Sequence, residues 1–192
     1  MRKSREHAAE TRKRIVNAAA SEFRENGIVA TGLADLMKAA GLTHGGFYKH
    51  FASKDQLVAE ATAQAMDMAV EGLAAQPTVS AAVAAYLSGR HRDNPGSGCP
   101  LPALAGELAR SDRKARDAAT AGFVRMRDIL AGKADTADAR RRALATVAMM
   151  IGAVTMSRVV TDPKLSDEIL RAAEDSITGS QTTGRKKAKT SG

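Results

Sequence analysis

Tryptophan is absent from this chain of 192 residues, and only six residues are aromatic: Phe23, Phe47, Tyr48, Phe51, Tyr86 and Phe123. A core so poor in large rings must be built from alanine, leucine, valine and methionine, an alphabet that favours helices packed closely on small side chains. No block alternates β-branched and aromatic residues with the period of two that marks strands. The composition therefore predicts an all-α protein. A single cysteine, Cys99, excludes an intramolecular disulfide and any multi-cysteine zinc site. The apolar run 143–157, uncharged between Arg142 and Arg158, is shorter than the ~18–20 residues of a membrane span. No apolar segment follows the basic N-terminal stretch in the manner of a signal peptide. A cytoplasmic protein without a membrane partner is expected. No paired carboxylates, metal-ligand spacing or glycine-rich phosphate loop is recognisable, so neither an enzyme, a cofactor nor a bound metal is expected. Cys99 working with one of His7, His44, His50 or His91 would be the only route to catalysis, and it is the weakest reading of those residues.

Positive charge, by contrast, is in excess. The net charge is +8, and its placement matters more than its size. Residues 1–14 hold six basic side chains against Glu6 and Glu10, and residues 178–192 hold four with no acid. These two ends carry the whole excess. Such a distribution suits a polyanionic partner, although basic ends also serve solubility.

Helical periodicity organises the rest. Ile15, Ala19 and Phe23 fall on one face of a first helix over 10–26, and Asn26-Gly27 ends it. Leu33, Leu36, Met37 and Ala40 give a short second helix stopped by Gly41. Thr43 is placed to cap a third, very short helix that ends near His50. Ser53-Lys54-Asp55-Gln56 then fits a capping box at the start of a fourth helix that closes at Gln76-Pro77. Further helices are predicted over 78–87, about 101–110, 112–130, 135–160 and 164–177, with 89–98 as a loop. The resulting boundaries are 1–53, a connecting helix over 54–77, a helical domain over 78–177, and a disordered basic tail over 178–192.

The most informative stretch is Gly41 to Leu57, GLTHGGFYKHFASKDQL. It holds three of the six aromatics beside two adjacent glycines, although glycine costs roughly 1 kcal/mol in a helix interior. Two short helices joined by a tight turn outline a helix-turn-helix, whose second helix enters the DNA major groove and reads base edges. Missing side chains at Gly45 and Gly46 would let the backbone approach the groove floor. Phe47 and Phe51, four apart, would pack inward. Tyr48 and His50 would face phosphates, His44 and Lys49 would lie nearer the bases, and Lys54 would sit where free backbone amides favour a phosphate.

Residues 10–57 resemble the N-terminal domain of the TetR-type bacterial transcriptional regulators. The likeness rests on the first helix with Ile15, Ala18 and Phe23 followed by Gly27, then Thr31 before a helix ending Ala39-Ala40-Gly41. It continues through Leu42, Thr43, Gly45, Tyr48, His50, Phe51, Lys54 and Leu57 in order. The resemblance implies a homodimer of all-helical subunits, each with a three-helix DNA-binding domain joined to a larger ligand-binding and dimerisation domain. It also implies phosphate contacts at Thr31, Thr43, Tyr48, His50 and Lys54, and bases facing His44, Gly45 and Lys49. Repression of transcription at a pseudo-palindromic double-stranded operator, relieved by a small-molecule or reactive effector, is the function it implies. A sequence-tolerant basic DNA-binding protein is the alternative.

The remainder supports less. The resemblance places the dimer contact on the last two long helices, where the run 143–157 carries small residues suited to close approach. Tyr86, Phe123, Met126 and Met149 are candidates for an effector pocket, methionine being an adaptable lining. Cys99 precedes a helix, with Arg90, His91 and Arg92 a loop away; cations and a helix N-terminus activate thiols, so it is the candidate sensor. The pattern Gly98-Cys99-Pro100-Leu101 is also similar to that of a subset of TetR-type regulators.

Overall fold

A computed structural model describes the backbone of residues 2–132, 134 and 136–187, and the side chains of 6–132, 134 and 136–179. Among the described residues there are helices and no strands. The α-helices are α1 (Arg2–Asn26), α2 (Leu33–Ala39), α3 (Lys54–Ala74), α4 (Val79–Tyr86), α5 (Gly89–Asp93), α6 (Pro100–Leu108), α7 (Arg113–Ala131), α8 (Ala137–Val159) and α9 (Pro163–Lys187). Two 3₁₀ segments, His44–Lys49 and Pro95–Ser97, complete the order. The expectation of an all-α chain holds.

The helix ends follow the chemistry of their caps. Gly27 and Gly41 have φ of 86° and 69°, the left-handed conformation that closes a helix and that glycine adopts without a Cβ penalty. At α2 the Leu42 amide donates to the Met37 carbonyl and the Gly41 amide to that of Lys38, the paired bonds of a Schellman ending. Ser53 Oγ accepts from the Gln56 amide at 3.1 Å, while the Gln56 side chain accepts from Ala52, one residue before the expected partner. Thr78, Ser88 and Thr136 cap α4, α5 and α8 through their side chains.

Two expectations need correction. Residues 89–98 are not an open loop: Ser88 Oγ accepts from the His91 amide and starts α5, and Pro95–Ser97 forms a further turn. The last helix does not stop at Ile177 but continues to Lys187, so the disordered tail expected from 178 is helical for ten residues. No proline interrupts that stretch, and basic residues near a helix C-terminus are favoured by its dipole; residues 188–192 lie outside the described residues. The run 143–157 sits inside a 23-residue helix, α8, that is long and apolar enough to cross a membrane by composition, with a third of its most apolar window buried.

Contacts divide the chain into two compact units, and these do not follow sequence order. The first comprises 1–70 with 95–124, and the second 71–94 with 125–192. The core of the first unit is built on Ile15, Phe23, Leu36, Met37, Phe47, Phe51, Leu57 and Met66, all at or below 2% exposure. Within it α7 crosses α3 so closely that a Cβ placed on Gly122 would meet Met66 Cβ at 2.6 Å.

In the second unit α8 packs on α9, α5 on α8 and α4 on α9. Polar groups fix α5 there. The Arg158 guanidinium donates to the carbonyls of His91 and Arg92 at 2.8 and 2.9 Å, and Arg92 Nη1 donates to Ser166 and Asp167. His91 Nδ1 lies 2.7 Å from the Tyr86 carbonyl oxygen, and its ring meets that of Tyr86 edge-on at 4.4 Å. Burial pushes the His91 pKa below its usual 6.5; the Tyr86 carbonyl opposes this, and the Arg158 charge adds to it.

Two predictions follow from this packing. Gly122→Ala, which helix propensity alone would make stabilising, is expected to destabilise by about 1–3 kcal/mol through overpacking against Met66, read as a lower denaturant midpoint. His91 binds its proton less readily folded than unfolded, so its contribution is full above about pH 6.5 and is lost as pH falls through the lower folded value. The melting temperature should therefore fall between pH 7.5 and 5.5, and His91→Gln should flatten that slope.

Candidate nucleic-acid interface

The segment that sequence analysis singled out is a 3₁₀ helix, His44–Lys49, rather than an α-helix. Thr43 stands at its N-cap but makes no side-chain cap, so its hydroxyl is free of the role expected for it and is exposed. The shape of the segment comes from two rings. Phe47 and Phe51 are buried at 0% and 2% exposure and stack at 5.5 Å, and Tyr48 meets Phe47 edge-on at 5.1 Å. With both phenylalanines turned inward, Thr43, His44, Gly45, Tyr48 and Lys49 all face solvent, and His50 is half-buried. Tyr48 is 68% exposed, an unusual position for one of six aromatics.

The two glycines differ. A Cβ on Gly46 would touch Met37 Cε at 3.4 Å, so its smallness serves the packing of the segment on α2. A Cβ on Gly45 would meet nothing within 4 Å. No demand inside the described chain explains glycine there, and it lies on the exposed side beside His44.

Lys54 and Thr31 belong to a different part of the same surface. Lys54 Nζ donates to the carbonyls of Ile28 and Thr31 at 2.5 and 2.7 Å. An ammonium has three N–H groups, so this tie leaves one for an outside acceptor. The Thr31 side chain is buried, with its hydroxyl donating to the Gly27 carbonyl. That hydroxyl closes the turn between α1 and α2 and does not project to solvent, which corrects the picture of Thr31 as an outward side-chain contact.

Several residues that matter here were not found by sequence reasoning. Arg12, counted above as part of a free basic end, is an internal brace. Its guanidinium forms a two-pronged pair with Glu60 of α3, its Nε donates to the His50 carbonyl at 3.3 Å, and it lies 4.4 Å over the Phe51 ring. The pair holds the Glu60 carboxyl below its usual range. Arg14 donates to the Ala40 carbonyl at 2.7 Å, capping α2. These partners lie 26 to 48 residues apart, and no local spacing signals them.

The effector candidates are divided between the units: Cys99 and Phe123 in the first, Tyr86, Met126 and Met149 in the second. Tyr86 and Met126 are buried and Phe123 half-buried. Met149 is 41% exposed on α8 and lines no interior space; Met150, one position on, is the buried one. Its exposure arises because α8 buries Ala143, Val147, Met150 and Val154 at helical spacing, which turns Met149 outward. Cys99 is buried at the N-cap of α6. The cation beside it in its own unit is Arg24, missed from sequence. Arg24 is 4% exposed and donates to the carbonyls of Ala20 and Gly98, both at 2.7 Å. Burial lowers the Arg24 pKa, and charge interactions with Cys99 and Glu25 oppose that. A groove of about 440 Å³ between α1 and α3 is crossed by the Arg12–Glu60 pair and holds none of the expected effector residues.

A double-mutant cycle on Arg12→Leu and Glu60→Leu should give a coupling of about 0.5–1 kcal/mol for this part-exposed pair. Because the Glu60 pKa is lowered on folding, the coupling is present above about pH 4.5 and lost as pH falls through the folded value. A cycle that reads zero at pH 7 would remove Arg12 as the brace.

Comparison with known proteins agrees with this geometry. A model of bacterial regulatory proteins of the tetR family matches residues 15–61, and one of the LmrA/YxaF-like transcriptional regulator C-terminal domain matches 74–175. The chain is 43% identical over 58 residues to the HTH-type transcriptional regulator TtgR of Pseudomonas putida, covering 30% of this chain and 28% of that protein. It is 41% identical over 59 residues to AcrR of Shigella flexneri, covering 31% and 27%. The chain thus spans under a third of the length of these curated relatives. Along nearly its whole length it is similar to a TetR transcriptional regulator from Chloroflexus aurantiacus, with TM-score 0.69, 29% identity, and coverage of 93% and 97%. The reduced form of Escherichia coli NemR shares the fold at TM-score 0.72 and 18% identity, with 88% and 96% covered.

Proposed function

Because the chain belongs to the TetR family of DNA-binding transcriptional regulators, we propose that it is an effector-responsive repressor acting in the cytoplasm on a two-fold symmetric operator. The observation that carries the reading is the outward set Thr43, His44, Gly45, Tyr48 and Lys49, held by two buried rings, with a glycine among them that no internal contact requires. Such a surface has one use that fits its chemistry. Donors of two kinds flank a backbone able to approach a groove floor closely. His44, Gly45 and Lys49 then face base edges. Tyr48, His50, the backbone at Thr31, Thr43 and the remaining Lys54 N–H face phosphates.

Dimerisation is supported by α8. Its outer face exposes Leu144, Met149, Met156 and Val159, with Gly152 among them and Leu165 at the start of α9. A row of apolar side chains with small residues between them suits an isologous helix pairing across a two-fold axis. Within the second unit, the buried Tyr86 and Met126 are the residues proposed for an effector site; in the first unit the candidates are Phe123 and Cys99. A reactive effector would act at Cys99, which lies at a helix start with the buried Arg24 guanidinium bonded to the preceding Gly98 carbonyl.

The test is selection of bound duplexes from a random pool at physiological salt. A two-fold symmetric site should emerge. His44→Ala and Lys49→Ala should each cost about 1–3 kcal/mol and relax preference at one position per half-site. Tyr48→Phe should weaken binding to all sequences alike. Recovery of no shared sequence, with affinity falling steeply in salt, would instead favour the sequence-tolerant binder.

A further inference from the structure

The turn between α1 and α2 is held from both sides by opposite charges. On its carbonyl side, Lys54 Nζ takes Ile28 and Thr31. On its amide side, the Glu107 carboxylate of α6 accepts from Ile28 N–H at 2.9 Å through Oε2 and from Val29 N–H at 2.8 Å through Oε1. Successive amides that follow a left-handed residue form a concavity for an anion. Here Gly27, with φ of 86°, supplies that conformation, and Glu107 fills the concavity. Gly27 is also required for space, since a Cβ there would lie 3.1 Å from Glu107 Oε2.

Glu107 reaches this turn across 79 residues of sequence, and it is not the only tie between the two segments. The Glu25 carboxylate accepts from the Gly96 amide at 3.1 Å, and Arg24 donates to the Gly98 carbonyl. The stretch from Gly96 to Glu107 is thus fastened to the end of α1 at both of its ends, within one compact unit. The two N-terminal ties bind the segment ahead of α6 to the last turn of α1. Of these three ties, that of Glu107 is the one that reaches the turn to which Lys54 is fastened and from which α2 starts.

We infer that Glu107 is a positioning residue for DNA binding: its carboxylate holds the 27–31 turn in the form that places Lys54 against the phosphate backbone. The inference rests on the reading that Lys54 and the 43–50 surface face DNA. It goes further in making operator affinity depend on an acidic side chain in α6 that itself repels DNA.

That sign separates positioning from simple electrostatics. Removal of a carboxylate near a polyanion should tighten binding, whereas loss of the clamp should loosen it. The full chain is compared with Glu107→Ala, Glu107→Gln and Lys54→Met variants on the selected symmetric duplex. Glu107→Ala should weaken binding about tenfold, the scale on which indirect residues modulate a site. Glu107→Gln, which keeps one acceptor, should fall between. In the Lys54→Met background the Glu107→Ala effect should shrink below twofold, because both residues act through one turn. Gly122→Ala, destabilised elsewhere in the unit, should bind like wild type. Affinity of the Glu107 variants equal to or tighter than wild type overturns the inference, as does equal loss in Gly122→Ala. If Glu107→Ala does not fold, Glu107→Gln decides. Failure of the wild-type chain to select any symmetric duplex would sink the DNA-facing reading itself, a result distinct from wild-type binding that Glu107 leaves unchanged.

Discussion

The segment that faces outward has no means of holding its own shape, and the stack of Phe47 on Phe51 supplies it. Six residues with two adjacent glycines are too short to nucleate a helix in water, and 3₁₀ geometry binds its backbone less well than an α-helix does. Both rings are almost fully buried, which at about 25 cal/mol per Å² places a few kcal/mol behind one arrangement of the segment. The side chains between and beside them then have no freedom to choose a face. Tyr48, Lys49 and His44 point outward because Phe47 and Phe51 point inward. Arg12 closes the assembly, lying over Phe51 while pairing with Glu60, so α1 and α3 are referenced to the same ring. A surface meant to meet a rigid duplex gains from such dependence, since preorganisation lowers the entropy lost on binding.

Long-range polar ties do at the turns what the rings do in the core. Buried backbone groups need partners, and here several are served by charged side chains from distant sequence: Arg14 at the end of α2, Arg24 at Gly98, Arg158 at the end of α5. The consequence is that the two compact units interleave along the chain, with residues 95–124 grouped with the N-terminal helices. The formal charge excess is correspondingly a poor measure of what remains for a partner. Of the six basic residues in 1–14, Arg12 and Arg14 are engaged within the chain.

This marks the limit of what sequence made legible. Helix class, most helix positions and the inward direction of Phe47 and Phe51 were readable because they depend on local period, caps and glycine conformation. Gly27 and Gly41 take the left-handed φ that their positions suggested. What local pattern could not supply was partnership across the chain. Nothing near Glu107 signals Ile28, and nothing near Cys99 signals Arg24. Short elements were also missed where composition misled: the Gly-Arg-His-Arg-Asp stretch reads as loop, yet one serine cap suffices to wind it as α5. In α8 no phase was readable from so apolar a run, and one residue separates exposed Met149 from buried Met150.

The exposed stripe on α8 and the small size of the outward surface bear on each other. On the proposed reading, one recognition segment offers His44, Lys49 and the backbone at Gly45 to the bases, and each good base contact discriminates by about 1–3 kcal/mol. Specific recognition over bulk DNA requires roughly 4–10 kcal/mol. Three such contacts in a single copy sum to about 3–9 kcal/mol, which meets that range only when each is good; two copies whose contacts add reach it with margin. Fixing two copies requires an interface that does not use the DNA-facing unit, and the apolar row from Leu144 to Val159 lies wholly in the other one. On the proposed reading, the same chain therefore separates its tasks by unit: the phenylalanine-held surface provides affinity for each half-site, and the outer face of α8 provides the pairing that turns modest half-site preferences into specificity.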